Sequence, residues 1–243
     1  IWLMVTSIMT IVPFLYLVNI GSRVRMIPLI LVIANVYNVL YLAMAAMRQN
    51  LSLGFILLAF ITYYMKDFPK KEKIIKTVCF FTIAVLFHQT ALLALPFMIL
   101  CACFSFKRFT LIIMLISSLV IAFMISGHAY SLFQTLNVIT SIWGFSERYF
   151  NYDKDAFGTS ISLLYLAPMT LYTIINVLCC DKNEVKNVRV KYLVLGCILF
   201  NLGSSLTVIM RVVYPLIMIG ITYIPMHILD KKQLIYKWSI LAM

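Results

Sequence analysis

The sequence has little charge and still less acid. Of its 243 residues, 8 are Asp or Glu and 3 are His, and charged residues of both signs make up 12%. A soluble domain averages about 25% charged and roughly 45–50% apolar residues; here 63% are hydrophobic. A chain of this size cannot keep that much apolar surface from water by folding on itself, so a soluble globular domain is excluded. The scarcity of ligand-type residues argues against a metal centre, because scattered acids and one well-placed histidine do not make a ligand shell. There is no phosphate-cradling glycine loop and no nucleophile elbow. The six cysteines, Cys79, Cys101, Cys103, Cys179, Cys180 and Cys197, lie in or at the ends of apolar segments with no paired CxxC motifs. They read as buried free thiols. No basic region stands before the opening apolar run, and spans are expected to follow it throughout, so it is expected to be a span and not a cleavable leader. The chain begins at Ile1 within one apolar run and stops at Met243 as another starts. That pattern is expected of a piece of a longer membrane protein.

What is present is a series of apolar runs: 2–20, 27–47, 51–65, 74–88, 90–106, 109–126, 159–180, 192–209 and 212–229, with another starting near 235. A helix needs about 20 such residues to cross the hydrocarbon, with roughly 17 as the short limit. The runs 51–65 and 74–88 are short and need flanking residues or local thinning to cross. The predicted fold is all-α: a polytopic transmembrane helix bundle forming a single transmembrane domain over 1–243. It has about nine complete spans plus the start of a tenth.

The net charge is +12, yet the basic residues sit in short links between apolar runs. No stripe of interleaved basic and aromatic residues lies outside a span, so nucleic acid is not the expected partner. Their distribution sets the orientation. One side of an alternating topology holds Arg23, Arg25, Lys66, Lys70, Lys71, Lys73, Lys76, Lys107, Arg108, Lys182, Lys186, Arg189, Lys191, Lys231, Lys232 and Lys237, which is 16 of the 20 basic residues. That side is cytoplasmic by the positive-inside rule. The assignment requires the polar break at His88, Gln89 and Thr90 to separate two helices. A long extracytoplasmic loop, 127–158, follows. Its part 131–145 places Leu132, Leu136, Ile139 and Trp143 at helical spacing, as in a helix lying in the interface. Long loops tend to carry function, and Thr159 or Ser160 is placed to cap the next span.

The four remaining basic residues, Arg48, Arg148, Lys154 and Arg211, lie on the outer side. Insertion does not explain them. An arginine binds phosphate through two parallel hydrogen bonds and stays charged at ordinary pH. Arg48, Arg148 and Arg211 can together neutralise a pyrophosphate. His88, in a tight turn with Gln89, has an ordinary pKa of about 6.5 and can take or give a proton near neutrality. Glu147 adjoins Arg148, and Tyr149 and Tyr152 can stack on sugar faces. Each has a blander role: Arg48 and Arg211 as residues snorkelling to headgroups, His88 as a helix-end residue, Arg148 as the partner of Glu147 or Asp153, and the tyrosines as an aromatic belt. His128 and His227 read as interfacial. Asn35, Asn38, Asn176, and Asn201 with Ser204 and Ser205, read as interhelical hydrogen-bonding residues.

Ala45-Ala46-Met47-Arg48-Gln49-Asn50-Leu51-Ser52, followed by Ala84-Val85-Leu86-Phe87-His88-Gln89-Thr90-Ala91-Leu92, resembles the EpsG family, itself similar to the Wzy-type O-antigen and capsule polymerases. Arg148-Tyr149-x-x-Tyr152 and Arg211-x-x-Tyr214 look like that family's downstream positions. The resemblance implies a metal-independent glycosyltransferase with no cofactor, in the bacterial plasma membrane. It would join undecaprenyl-pyrophosphate-linked repeat units on the outer face during exopolysaccharide, capsule or O-antigen biosynthesis, beside membrane lipid and other polysaccharide assembly proteins. The catalytic residues would be His88, Arg48, Arg211 and Glu147. Gln49, Gln89, Arg148, Tyr149, Tyr152 and Tyr214 would bind substrate. A lipid-linked oligosaccharide flippase or transporter, a membrane acyltransferase modifying glycans, and a non-catalytic scaffold are the competing readings. A transporter should carry charge at mid-span from broken helices, and the spans here carry none.

Overall fold

The structure, a computed structural model, describes residues 2–21, 47–89, 91–103, 105–125, 163–203 and 207–223. Eight α-helices lie among them, one on each predicted run they cover: α1 Trp2–Gly21, α2 Met47–Tyr64, α3 Lys70–Phe87, α4 Ala91–Cys103, α5 Arg108–Ile125, α6 Leu163–Cys179, α7 Val188–Gly203 and α8 Thr207–Gly220. A short 3-10 turn, Glu184–Lys186, precedes α7. The expected helix 27–47, apart from Met47 which opens α2, the run near 235 and the loop 127–158 with its interfacial helix lie outside the described residues.

The helices on the two short runs are longer than those runs, because each takes in polar residues at its start. Both α2 and α3 have 18 residues, about 27 Å at 1.5 Å per residue. In α3, Pro69 stands at the N-cap and Glu72 in the first turn. A proline there removes no helical donor, and the carboxylate suits the positive end of the helix dipole. Glu72 then pairs with Lys76 one turn on, at 2.6 Å.

Packing fixes the helix directions. Ser52 faces Ala84 and Phe55 faces Phe80, so α2 and α3 form an antiparallel hairpin. Thr10 hydrogen-bonds Asn50, and Phe14 and Leu17 join Leu57 and Phe60 in one core, so α1 runs parallel to α2. A Cβ on Gly54 would collide with the Met9 carbonyl oxygen, so this crossing requires glycine. Helix α7 occupies the centre. Tyr192 meets Phe60 edge-on at 5.3 Å, while Val190, Val194 and Cys197 pack on Leu111 and Leu115 of α5. Gly196 lies against Ile217 and Gly220 against Leu193, which makes α7 and α8 antiparallel.

These directions gather Lys66, Lys70, Lys107, Arg108, Lys182, Lys186, Arg189 and Lys191 at one end of the bundle, the basic end. There Arg108 donates to the Cys180 carbonyl at the end of α6, supplying a partner at a helix terminus whose last carbonyls lack one. The Tyr223 hydroxyl donates to Glu184 Oε1 at 2.9 Å, and the Asp181 N–H donates to Glu184 Oε2 at 2.7 Å.

Asn176 and Asn201 bond to other elements, as expected, while Asn35, Asn38, Ser204 and Ser205 lie outside the described residues. Asn176 donates to the Tyr223 carbonyl at 3.3 Å. Asn201 donates to Ser118 at 2.9 Å and accepts from Thr170 at 3.1 Å, tying α5, α6 and α7 together. The cysteine expectation holds in part: Cys101, Cys179, Cys180 and Cys197 are buried, but Cys79 and Cys103 are exposed, and all six are free thiols.

Among the described residues, no helix is long and apolar enough to cross a membrane. Their outer faces are nonetheless strongly apolar: Leu86 is 81% exposed, Phe109 73% and Met124 70%. Apolar surface on this scale marks contact with lipid or with another protein.

Candidate functional site

Arg48 is the second residue of α2, and His88 immediately follows α3. The hairpin brings them together. Ser52 Oγ donates to the Ala84 carbonyl at 2.8 Å. Arg48 precedes Ser52 by four residues and His88 follows Ala84 by four. One helical turn beyond that bond, Arg48 and His88 therefore stand at the same level of the hairpin, at the end opposite the lysines. Arg48 is exposed and Gln49 half-buried; His88 is half-buried and Gln89 exposed. A cation in the first turn opposes the helix dipole, so Arg48 is not there to stabilise α2.

The polar break expected at His88 is present. His88 has extended backbone, with φ −154° and ψ 116°, and its N–H still bonds the Ala84 carbonyl, closing α3. The Ala91 and Leu92 N–H groups bond the His88 and Gln89 carbonyls, each at 3.0 Å, so α4 starts at once. The small residues of the motif have a packing reason. Ala84, Ala91 and Ala94 form a buried cluster with Ile56 where α2, α3 and α4 meet. Phe55 stacks on Phe87 at 5.7 Å and holds the end of α3 against α2.

Arg211 departs from expectation. It was expected in the link between two spans, but it lies inside α8, which begins at Thr207. The stretch Thr207-Val208-Ile209-Met210 holds no glycine or proline to stop a helix, while Gly203 ends α7. Because α8 runs antiparallel to α7, Arg211 still falls in the half of the bundle away from the lysines. Tyr214 follows on the same helix and is half-buried. Glu147, Arg148, Tyr149 and Tyr152 lie outside the described residues. The structure thus brings Arg48, Gln49, His88 and Gln89 to one end, with Arg211 in the same half.

Thr10, Ser52 and Ala84 were not among the expected site residues, yet they set the positions of those that were. Thr10 Oγ1 donates to the Asn50 carbonyl at 2.9 Å, fixing the start of α2 against α1. Ser52 lies one turn from Arg48 and Ala84 one turn from His88, but no signal in the sequence pairs the two turns.

The chain matches the EpsG family over residues 1–243, its whole length. It belongs to the EpsG family. No curated protein and no solved structure matches it. Membership suggests a membrane protein of polysaccharide biosynthesis and a lipid-linked glycan as substrate. The family is also associated with glycosyltransferase or polymerase activity. In this EpsG chain the two motifs are the two sides of one helical hairpin. Among the described residues, no three His, Cys, Asp or Glu side chains form a metal-ligand group. A cavity of 140 Å³ lies between α4, α5 and α7, but it is at the basic end, away from Arg48 and His88.

Proposed function

We propose that this EpsG protein is a membrane polysaccharide polymerase acting on the outer face of the bacterial plasma membrane. The donor is a glycan on undecaprenyl pyrophosphate, and the acceptor is the non-reducing end of another repeat unit. The observation that carries this reading is the hairpin register, which sets Arg48 and His88 at one level at the end away from the lysines. The positive-inside rule makes that end extracytoplasmic.

The reaction needs two things from the protein. The leaving pyrophosphate gains charge as the bond from the sugar C1 to its oxygen breaks. Arg48 and Arg211, assisted by Arg148, stabilise that charge, and such stabilisation can be the largest catalytic contribution. The acceptor hydroxyl must lose its proton as its oxygen bonds C1. His88, or Glu147 in its place, accepts that proton, and undecaprenyl pyrophosphate departs. Helices α2, α4 and α8 all begin in this half of the bundle, and helix N-termini favour anions. Gln49, Gln89 and Tyr214 bind sugar hydroxyls, with Tyr149 and Tyr152 covering the sugars.

The polar residues buried in the bundle support a surface site over a crossing path. Asn201 bonds both Ser118 and Thr170, so the three tie helices together instead of lining a route for a polar lipid. Replacing Arg48 or His88 by Ala should shorten the polymer in cells at equal protein level. Long chains at wild-type abundance from both variants would refute the assignment.

A further inference from the structure

We propose that the cavity at the basic end seats the headgroup-proximal part of one acyl chain of an anionic phospholipid. It measures 140 Å³ and is lined by Leu100, Phe106, Met114, Leu195 and Ile198 among others, with Lys191 its one charged residue. The lining offers a polar guest almost no partners, and apolar cavities stay dry and take apolar guests. From Lys191 to Ile198 the α7 wall advances seven residues, about 10 Å at 1.5 Å each. One leaflet contributes roughly 15 Å, half of a hydrocarbon core of about 30 Å. At 140 Å³, close to the size of about 150 Å³ that takes benzene, the cavity seats a stretch of about six carbons, and the rest of the chain lies along the open outer wall.

Its position selects the headgroup. Lys191, in the first turn of α7, lines the slot, and Lys107 follows the lining residue Phe106 in the short link from α4 to α5, so an ammonium group stands at the polar end of an apolar slot. Among the described residues neither lysine is in an ion pair. Arg108, by contrast, already donates to the Cys180 carbonyl. Basic pockets between helices on the cytoplasmic side suit anionic headgroups, which a zwitterionic lipid does not match in charge. The slot is continuous with the outer surface, because its lining residues Leu100, Phe106 and Met114 are 40%, 41% and 36% exposed. A chain can thus enter sideways from the bilayer. The site rests on the membrane placement of the protein but not on polymerase chemistry.

The test is native mass spectrometry of the full chain purified in detergent. It would be titrated with palmitoyl-oleoyl phosphatidylglycerol and separately with the matching phosphatidylcholine. Wild type should retain one phosphatidylglycerol with a preference of about fivefold or more over phosphatidylcholine, the effect of one basic residue near an anionic headgroup. Lys191→Gln should remove most of that preference while lipid binding persists. Leu195→Trp, which fills the slot, should abolish retention of both lipids. Met114→Trp, from the more open wall, does the same should Leu195→Trp not fold. Equal retention of the two lipids by wild type overturns the proposal, as does unchanged phosphatidylglycerol retention in a folded tryptophan variant. Polymerase assays on the same variants report separately, since Arg48 and His88 lie at the other end.

Discussion

At the residue scale, the buried cation Arg189 illustrates how position changes the role of a charge. It is 7% exposed, its Nε and Nη1 have no hydrogen-bond partner, and its guanidinium lies 5.2 Å from the Tyr223 ring. Burial pulls its pKa down from the usual arginine range. A base whose pKa falls on folding costs stability while it is charged, across neutral pH, and that cost fades only as pH rises through the folded value. Arg189→Met should therefore be neutral or stabilising by up to about 4 kcal/mol, read as the unfolding midpoint in detergent. A loss of stability would mean that the guanidinium is paired. Ser52 is the opposite case, a small residue with a large positional effect. Ser52→Ala should cost only about 0.6 kcal/mol, yet it should lower polymer output by loosening the register that sets Arg48 against His88. Ser52→Thr, which keeps the hydroxyl, should restore output.

At the element scale, helix crossings depend on small residues and on polar bonds that have backup partners. Gly54→Ala should destabilise by about 1–3 kcal/mol through overpacking, because its Cβ meets the Met9 carbonyl. Leu86→Ala, on a side chain 81% exposed, should leave stability in detergent unchanged. Asn201→Leu should cost about 0.6–1.7 kcal/mol. Ser118 and Thr170 keep their bonds to the Leu115 and Leu166 carbonyls, so neither hydroxyl is orphaned. Helix existence was legible in the sequence because apolar runs bounded by Lys clusters or by the His88-Gln89-Thr90 break leave few alternatives. Helix starts were less legible: α2 and α3 begin on polar residues that a hydropathy reading trims away. Arg211 was misplaced for the same reason, since a charge inside an apolar stretch looks like a link when it is the second turn of a helix.

At the scale of the whole molecule, helix directions derived from side-chain contacts agree with those derived from charge. Each basic link in the described residues falls at one end, and the Arg48–His88 level falls at the other. Labelling tests the orientation. In a chain stripped of its six cysteines, a cysteine at Gln89 should react with a membrane-impermeant maleimide in intact cells, and one at Lys70 should react only after the membrane is opened. The reverse pattern would invert the proposed sidedness. What the sequence could not supply was the pairing of motifs. Arg48 and His88 are forty residues apart, and the Ser52–Ala84 bond, with Phe55 against Phe80, shows that they share a level.

The most direct measurement is transfer of radiolabelled undecaprenyl-pyrophosphate-linked repeat units by the purified protein in lipid vesicles, with no other protein present. The expected result is a ladder of lengthening glycans from wild type that collapses towards single repeats in Arg48→Ala and His88→Ala. No ladder from folded wild type given its native repeat unit, or the same ladder from all three proteins, would contradict the proposal that this hairpin carries a polymerase site.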